Sequence, residues 1–341
     1  MTASATPLAA PLAFAVALVL TPLAARVARA TGYLDHPDPR KHHPEPTPLL
    51  GGVAVAASVG AGMWLTHALA GAEVEWPRAG VLCGAALSLV LGLVDDRRPM
   101  RALGKLVGQI AAALTLILWG ARGGGFLAQQ PLLAALALVG VVALLNAVNF
   151  LDAMDGIVAA IVPIAAAGFL ALSLLFGAGM DRALGWGLVG ACAGFFVYNA
   201  PPARIFLGDA GSHLLGFALA ALSLQALDES LTVPHAAGVL WILSYPLFDV
   251  LFVIWDRLAT GRPITVGSTD HTTHRLGRIC GRWGTVGLIS GIVGATVIVG
   301  IAVWSLKSGP LAIATVLILA LGYAIFGASL RRKRLTPRFD T

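Results

Sequence analysis

Eleven stretches of this chain carry almost no charge, at about 7–28, 49–70, 79–94, 104–121, 131–147, 157–177, 183–198, 212–227, 235–255, 285–306 and 310–329. Each approaches the roughly 20 apolar residues that cross a bilayer core as a helix. Hydrophobic residues make up 57% of the chain and charged residues 12%, with a mean hydropathy of +0.83, which excludes a soluble globular domain. No connecting segment is long enough to fold separately. The pattern predicts an all-α polytopic membrane protein, with residues 1–341 forming a single membrane domain.

The charges then sort by side. Numbering the loops alternately, only Arg78, Arg122, Arg182 and Lys307 of the 23 Lys and Arg residues fall on one face. The positive-inside rule makes the richer face cytoplasmic, with the N-terminus outside and the C-terminus inside. The net charge of +6 is mostly this bias, and the basic run at 331–334 reads as an anchor to anionic membrane lipid. Nucleic acid is not an expected partner. Cys83, Cys192 and Cys280 lack metal-site spacing and give no disulfide framework. The first span lacks a basic leading region, so it reads as a retained helix and not a cleaved signal. The 40 glycines suit close helix packing in lipid. The outside loops are short, and Gly123–Gly124–Gly125 lacks the Lys-Ser/Thr of a phosphate loop.

Five polar segments lie on the cytoplasmic face. The first runs from Asp35 through Lys41 to the Pro46-Thr47-Pro48-Leu49-Leu50-Gly51-Gly52 stretch. Its prolines make it an extended strap, and the glycine pair admits another backbone. Lys41 meets a phosphate or merely anchors the loop. In the second, Asp95 and Asp96 end an apolar span and Lys105 and Gln109 follow. Adjacent carboxylates at a span end need water, a cation or a metal, so this set suits phosphate and a divalent cation, or a helix-end ion pair. The third places Asn146, Asn149 and Asp152 three residues apart, then Asp155-Gly156. A continuing helix would align these side chains on one face. Such polar groups at an apolar helix end need partners, which a nucleoside, sugar or hydrated metal would supply.

The fourth segment contains Asn199-Ala200-Pro201-Pro202-Ala203-Arg204-Ile205-Phe206-Leu207-Gly208-Asp209-Ala210-Gly211-Ser212. Arg204 offers a planar fork for phosphate, Phe206 a face for a base, and Asp209, with glycines around it, a carboxylate for Mg²⁺. The fifth, at 256–283, holds Asp270-His271-Thr272-Thr273-His274-Arg275. His271, His274 and Arg275 suit a diphosphate or sugar, and Arg275 equally suits anchoring. Asp249, inside the ninth span, is a functional carboxylate or a tie to a neighbouring helix.

These five segments, in this order, resemble the polyprenyl-phosphate N-acetylhexosamine-1-phosphate transferases over nearly the whole chain. The likeness rests on P-T-P-x-x-G-G, Asp95-Asp96 with Lys105, N-x-x-N-x-x-D-x-x-D-G, N-x-P-P-A-x-I-F-x-G-D-x-G-S and H-x-x-H-R-L. The resemblance implies a bacterial inner-membrane enzyme with a cytoplasmic active site. It implies Mg²⁺ as cofactor, with Mn²⁺ as a substitute, a UDP-N-acetylhexosamine donor and a polyprenyl phosphate acceptor. A homodimer is left open. By motif, Asp209 is the magnesium ligand, with Asp95 and Asn149 as further metal-side groups. Asp95 and Asp96 form the acidic pair, Asn149, Asp152, Asp155, Asn199 and Phe206 lie on the nucleotide and sugar side, and Lys105 and His271 contact phosphate. Thr273 stands where the GlcNAc-priming branch carries a histidine, while the following Arg-Leu matches that branch. The expected reaction is sugar-1-phosphate transfer from a UDP-N-acetylhexosamine to polyprenyl phosphate with release of UMP. The rivals are the MurNAc-pentapeptide donor and, in a different class, an anion transporter, which would set its polar groups at the midplane of internal repeats.

Overall fold

The computed structural model describes residues 6–37, 45–70, 76–120, 130–228, 231–262 and 270–332. Among these the chain is helical apart from turns and one short antiparallel pair. The helices are α1 (Ala9–Thr31), α2 (Gly51–Ala70), α3 (Trp76–Arg97), α4 (Ala102–Thr115), α5 (Pro131–Leu151), α6 (Ile157–Phe176), α7 (Arg182–Asn199), α8 (Gly208–Asp228), α9 (Val233–Ile242), α10 (Ser244–Ala259), α11 (Thr272–Trp304) and α12 (Gly309–Arg332). Strand β1 (Leu34–Asp35) pairs with β2 (Thr47–Pro48), Leu34 opposite Pro48 and Asp35 opposite Thr47. The two ends of the proline-rich strap are therefore extended, as its prolines require.

Among the described residues each of the eleven apolar stretches is mainly helical. Nine helices among the described residues are long and apolar enough to cross a membrane. The stretch at 235–255, read from sequence as one span, is built of two helices, α9 and α10, bent by 73°, which together are long and apolar enough for one broken span. Pro246 has no N–H for the Ile242 carbonyl, so the helical ladder breaks between them and Leu243 leaves helical geometry (ψ 6°). The remaining stretch is α7, an 18-residue helix whose Arg182, Tyr198 and Asn199 dilute its apolar character. Its start is fixed by Asp181, whose carboxylate accepts from the N–H groups of Ala183 (2.9 Å) and Leu184 (3.3 Å).

Helix α8 is the centre of the bundle. It is 89% buried, against 67% for α6 and 11% for α12, which lies at the rim. Around α8 pack α3, α5, α2 and α6, while α1 packs on α7 and α2, and α11 on α9 and α6. The first turn of α8 meets two other backbones directly. A Cβ on Gly52 would come within 2.3 Å of the Gly211 nitrogen, and one on Gly92 within 2.2 Å of the Ala210 nitrogen. These glycines let α2 and α3 touch α8 with no side chain between.

Candidate active site

Four helix ends converge on one point. Asp95 closes α3, Lys105 lies in the first turn of α4, Asn149 ends α5, and Asp209 begins α8. The Lys105 ammonium donates to Asp209 Oδ2 (2.6 Å) and to Asn149 Oδ1 (3.3 Å), and it pairs with Asp95 Oδ2 (2.9 Å). Asn149 Nδ2 donates to Asp209 Oδ1 (2.7 Å) and to Ser212 Oγ (2.9 Å). The other oxygen of Asp95 accepts from the Met100 N–H (2.6 Å) and sets the turn into α4. Oxygens of three residues thus face one cation-sized position, which the ammonium fills. Burying these carboxylates costs less because they share a positive partner.

Asp96 does something different from Asp95. Its two oxygens accept from the backbone N–H groups of Asp209 (2.8 Å) and Ala210 (3.1 Å). It is a carboxylate cap on the first turn of α8, supplied from α3, and it meets the positive end of the helix dipole. Gly208 makes room for it. Its φ is 74°, and a Cβ there would stand 2.7 Å from Asp96 Oδ2. Tyr33 closes this corner by donating its hydroxyl to the Leu93 carbonyl. Burial, then the charge of Asp96, pushes its phenol up to about 12.

Asn146 does not reach this point. It forms a reciprocal amide pair with Gln109, Nδ2 to Oε1 at 2.9 Å and Nε2 to Oδ1 at 3.1 Å, and its second N–H goes to the Val142 carbonyl (2.8 Å). The remaining N–H of Gln109 meets His213 Nε2 (3.1 Å), whose Nδ1 lies 2.7 Å from the Asp209 carbonyl. A carbonyl accepts only, so Nδ1 carries the proton and Nε2 is the acceptor. His213 was missed by the sequence reading. Its place one helical turn after Asp209 was the available signal.

The segments around 152–155 and 199–206 are tied to each other. Asn199 is buried, its Oδ1 accepting from the Gly156 N–H (3.1 Å) and its Nδ2 donating to the Ile205 carbonyl (2.9 Å). Both of its polar atoms are spent on the framework. Asp155 accepts from the Ala203 N–H (3.1 Å) and pairs with Arg282 at 3.4 Å. Asp152 caps the end of α5 and is half-buried. Its carboxyl is held well above the ordinary range, first by loss of water and then by the charges of Asp209, Asp96 and Asp155. Phe206 is fixed by its backbone, which accepts from Gly51 (3.1 Å) and donates to Pro48 (2.8 Å). Arg204 is exposed, and its guanidinium has no partner among the described residues. Lys41 lies outside the described residues.

The fifth segment arrives through α10 and α11. His271 Nδ1 is 2.8 Å from Asp249 Oδ2, and the other Asp249 oxygen accepts from Thr272 N–H (2.8 Å) and Thr272 Oγ1 (2.6 Å). Phe150, the neighbour of Asn149, lies beside the His271 ring with centroids 5.8 Å apart, and His274 flanks it at 6.3 Å. Arg275 is tied to α10 and α12. It donates to Asp256 Oδ2 (2.7 Å) and to the Leu330 carbonyl (3.4 Å), and lies over the Phe252 ring.

A sequence-family model described as glycosyl transferase family 4 matches residues 78–227. The chain is 30% identical over 269 residues to a probable undecaprenyl-phosphate N-acetylglucosaminyl 1-phosphate transferase of Bacillus subtilis, covering 76% of this chain and 74% of that one. The chain belongs to glycosyl transferase family 4. Within the family it is also 30% identical over 283 residues to a decaprenyl-phosphate N-acetylglucosaminephosphotransferase of Mycobacterium tuberculosis, covering 73% of this chain and 70% of the relative. A phospho-N-acetylmuramoyl-pentapeptide-transferase of Desulforudis audaxviator is 29% identical over 323 residues, covering 84% and 96%. The segment matched by the family model holds the whole Asp95, Lys105, Asn149 and Asp209 cluster but stops short of His271.

Proposed function

We propose that this membrane enzyme transfers N-acetylhexosamine-1-phosphate from a UDP-sugar, GlcNAc first among the candidates, to polyprenyl phosphate, releasing UMP on the cytoplasmic side of a bacterial inner membrane. The observation that carries it is the convergence of Asp95, Lys105, Asn149 and Asp209 where four helix ends meet. A water-soluble anion and a lipid headgroup can both reach such a place, whereas a transporter needs its polar groups midway across. The named activities of the relatives support the reaction class, and those relatives include both GlcNAc and MurNAc-pentapeptide enzymes.

In this reading an oxygen of the lipid phosphate attacks the sugar-bearing phosphorus of the donor. The bond from that phosphorus to the bridging oxygen breaks, and UMP leaves with the electron pair. Two anions must be brought together, so positive charge decides the rate. Lys105 supplies it at the centre and exposed Arg204 from the loop, while His271 offers a hydrogen-bond donor to the diphosphate. The acceptor phosphate is largely ionised near neutral pH, so Asp95 need only take a last proton. The donor set fits a divalent cation: oxygens of Asp209, Asp95 and Asn149 already face one positive charge. When bound, Mg²⁺, or Mn²⁺ in its place, would stabilise negative charge on the diphosphate. The test is UMP release from the purified protein with undecaprenyl phosphate, Mg²⁺ and a panel of UDP-sugars. Release with UDP-GlcNAc is expected. Release with UDP-MurNAc-pentapeptide alone would move the donor assignment, and release with none would end the reading.

A further inference from the structure

His271 is held in a way that a simple contact residue would not need. Asp249 is fully buried, with 0% exposure, on α10 just past the break with α9. One of its oxygens ties down Thr272, through both the N–H and the hydroxyl, and Tyr245 meets that hydroxyl at 3.0 Å. Those bonds alone would fasten the start of α11. The second oxygen is turned instead to His271 Nδ1 at 2.8 Å. Phe150 and His274 flank the imidazole, with ring centroids 5.8 and 6.3 Å away. His271 Nε2 makes no hydrogen bond among the described residues, and it is not among the sealed, unpartnered atoms. One ring nitrogen is therefore locked to a buried carboxylate, and the other is left open beside the residue that follows Asn149.

We propose that Asp249 is a positioning residue for the transfer: it holds the Nδ1–H of His271 so that the Nε2–H is presented to a diphosphate oxygen of the donor. The inference rests on the transferase reading and names the part of the donor that this histidine meets. Diphosphate oxygens accept hydrogen bonds and cannot donate them, so Nε2 must carry a proton. Nδ1 faces the carboxylate, which can only accept, so with a diphosphate oxygen at Nε2 both ring nitrogens act as donors and Asp249 stands behind the ring as the counter-charge of that complex. Among the described residues the titratable groups facing the pair are Tyr245 on α10 and His274 on α11, and neither brings a negative charge near neutral pH. The arrangement gives an oriented hydrogen-bond donor with a carboxylate behind it, away from the substrate.

Asp249→Asn separates this role from a purely structural one. The asparagine oxygen keeps both bonds to Thr272, while its NH₂ faces His271 and donates to Nδ1. The ring then holds its proton on Nε2, with no carboxylate at Nδ1 to balance charge when the diphosphate binds. In steady-state kinetics with UDP-GlcNAc and undecaprenyl phosphate varied in turn, the donor KM should rise about tenfold or more while the acceptor KM stays within about twofold. Asp249→Asn added to His271→Ala should be no worse than His271→Ala alone. Nitrogen NMR of histidine-labelled wild-type protein, with His271→Ala for assignment, should show a proton on His271 Nδ1, and Nε2 shifting to the protonated position as inorganic pyrophosphate is added. This arm needs no turnover, so it stands even if the donor assignment fails. Equal rises in both KM values, additive losses in the double variant, or a wild-type Nδ1 without its proton would each overturn the proposal.

Discussion

Asp209 is placed by everything around it: Asn149 and Lys105 hold its carboxylate, Asp96 its N–H, and His213 its carbonyl. Asp209→Asn removes one charge without changing shape, and the surrounding bonds keep the turn in place. Turnover should fall by at least about a hundredfold, as when a preorganised charge is lost from an active centre, with the melting temperature in detergent little changed. Near-normal turnover at limiting Mg²⁺ would remove Asp209 from the centre. Asp152 predicts a pH effect. Its folded-state pKa is raised, so the neutral carboxyl is favoured by the fold and the ionised one is penalised. Stability from this group is complete below the usual aspartate pKa of about 3.9 and is lost as pH rises through the folded value. Thermal unfolding followed from pH 4 upward should therefore decline less steeply in Asp152→Asn than in wild type. Parallel curves for the two proteins would contradict the assignment.

At the scale of elements, the cap on α8 is the joint that matters. The capping carboxylate comes from α3, 113 residues earlier in the chain, so losing it loosens two helices at once. Asp96→Ala should cost about 1–2 kcal/mol from the cap and the dipole together, and Asp96→Asn less, since an amide oxygen still accepts. Denaturation in detergent ranks the two, and equal stability would mean the cap contributes nothing. Such a joint also marks what the chain does not disclose locally. The spans were legible because twenty apolar residues announce themselves, and the extended strap because prolines do. Which of two adjacent carboxylates caps a helix and which faces a lysine depends on a partner far along the chain. The same holds for Asn146, whose partner Gln109 was in view but unassigned, and for Asp249, whose role became definite only when His271 was found against it. The break between α9 and α10 could have been found from Pro246, but a single apolar run over 235–255 outweighed it.

Across the whole molecule, the cluster of helix ends and the basic residues lie at the same ends of the helices, as one-sided chemistry requires. The orientation follows from the positive-inside rule. In a background lacking Cys83, Cys192 and Cys280, a cysteine at exposed Ala259 should resist an impermeant thiol reagent in intact cells, and one at exposed Ser308 should react. The reverse pattern would invert the topology. At the far end of the chain, Asp256 gathers Arg262, Arg275 and Arg331, so α12 is fastened to the segment that carries His271.

The ammonium of Lys105 has one further consequence. It fills the place where oxygens of Asp95, Asp209 and Asn149 converge. A divalent ion entering there competes with a cation tethered to the chain, at an effective concentration set by the side chain's length. The competition ends only when an incoming anion gives Lys105 another partner. Metal and nucleotide should therefore reinforce each other's binding, by the same factor in either order of addition. Calorimetry should find Mg²⁺ binding weak by itself and tighter with UDP present. In Lys105→Met the metal should bind more tightly alone and gain little from the nucleotide. An unchanged metal affinity in that variant would show that the lysine and the metal do not share the seat.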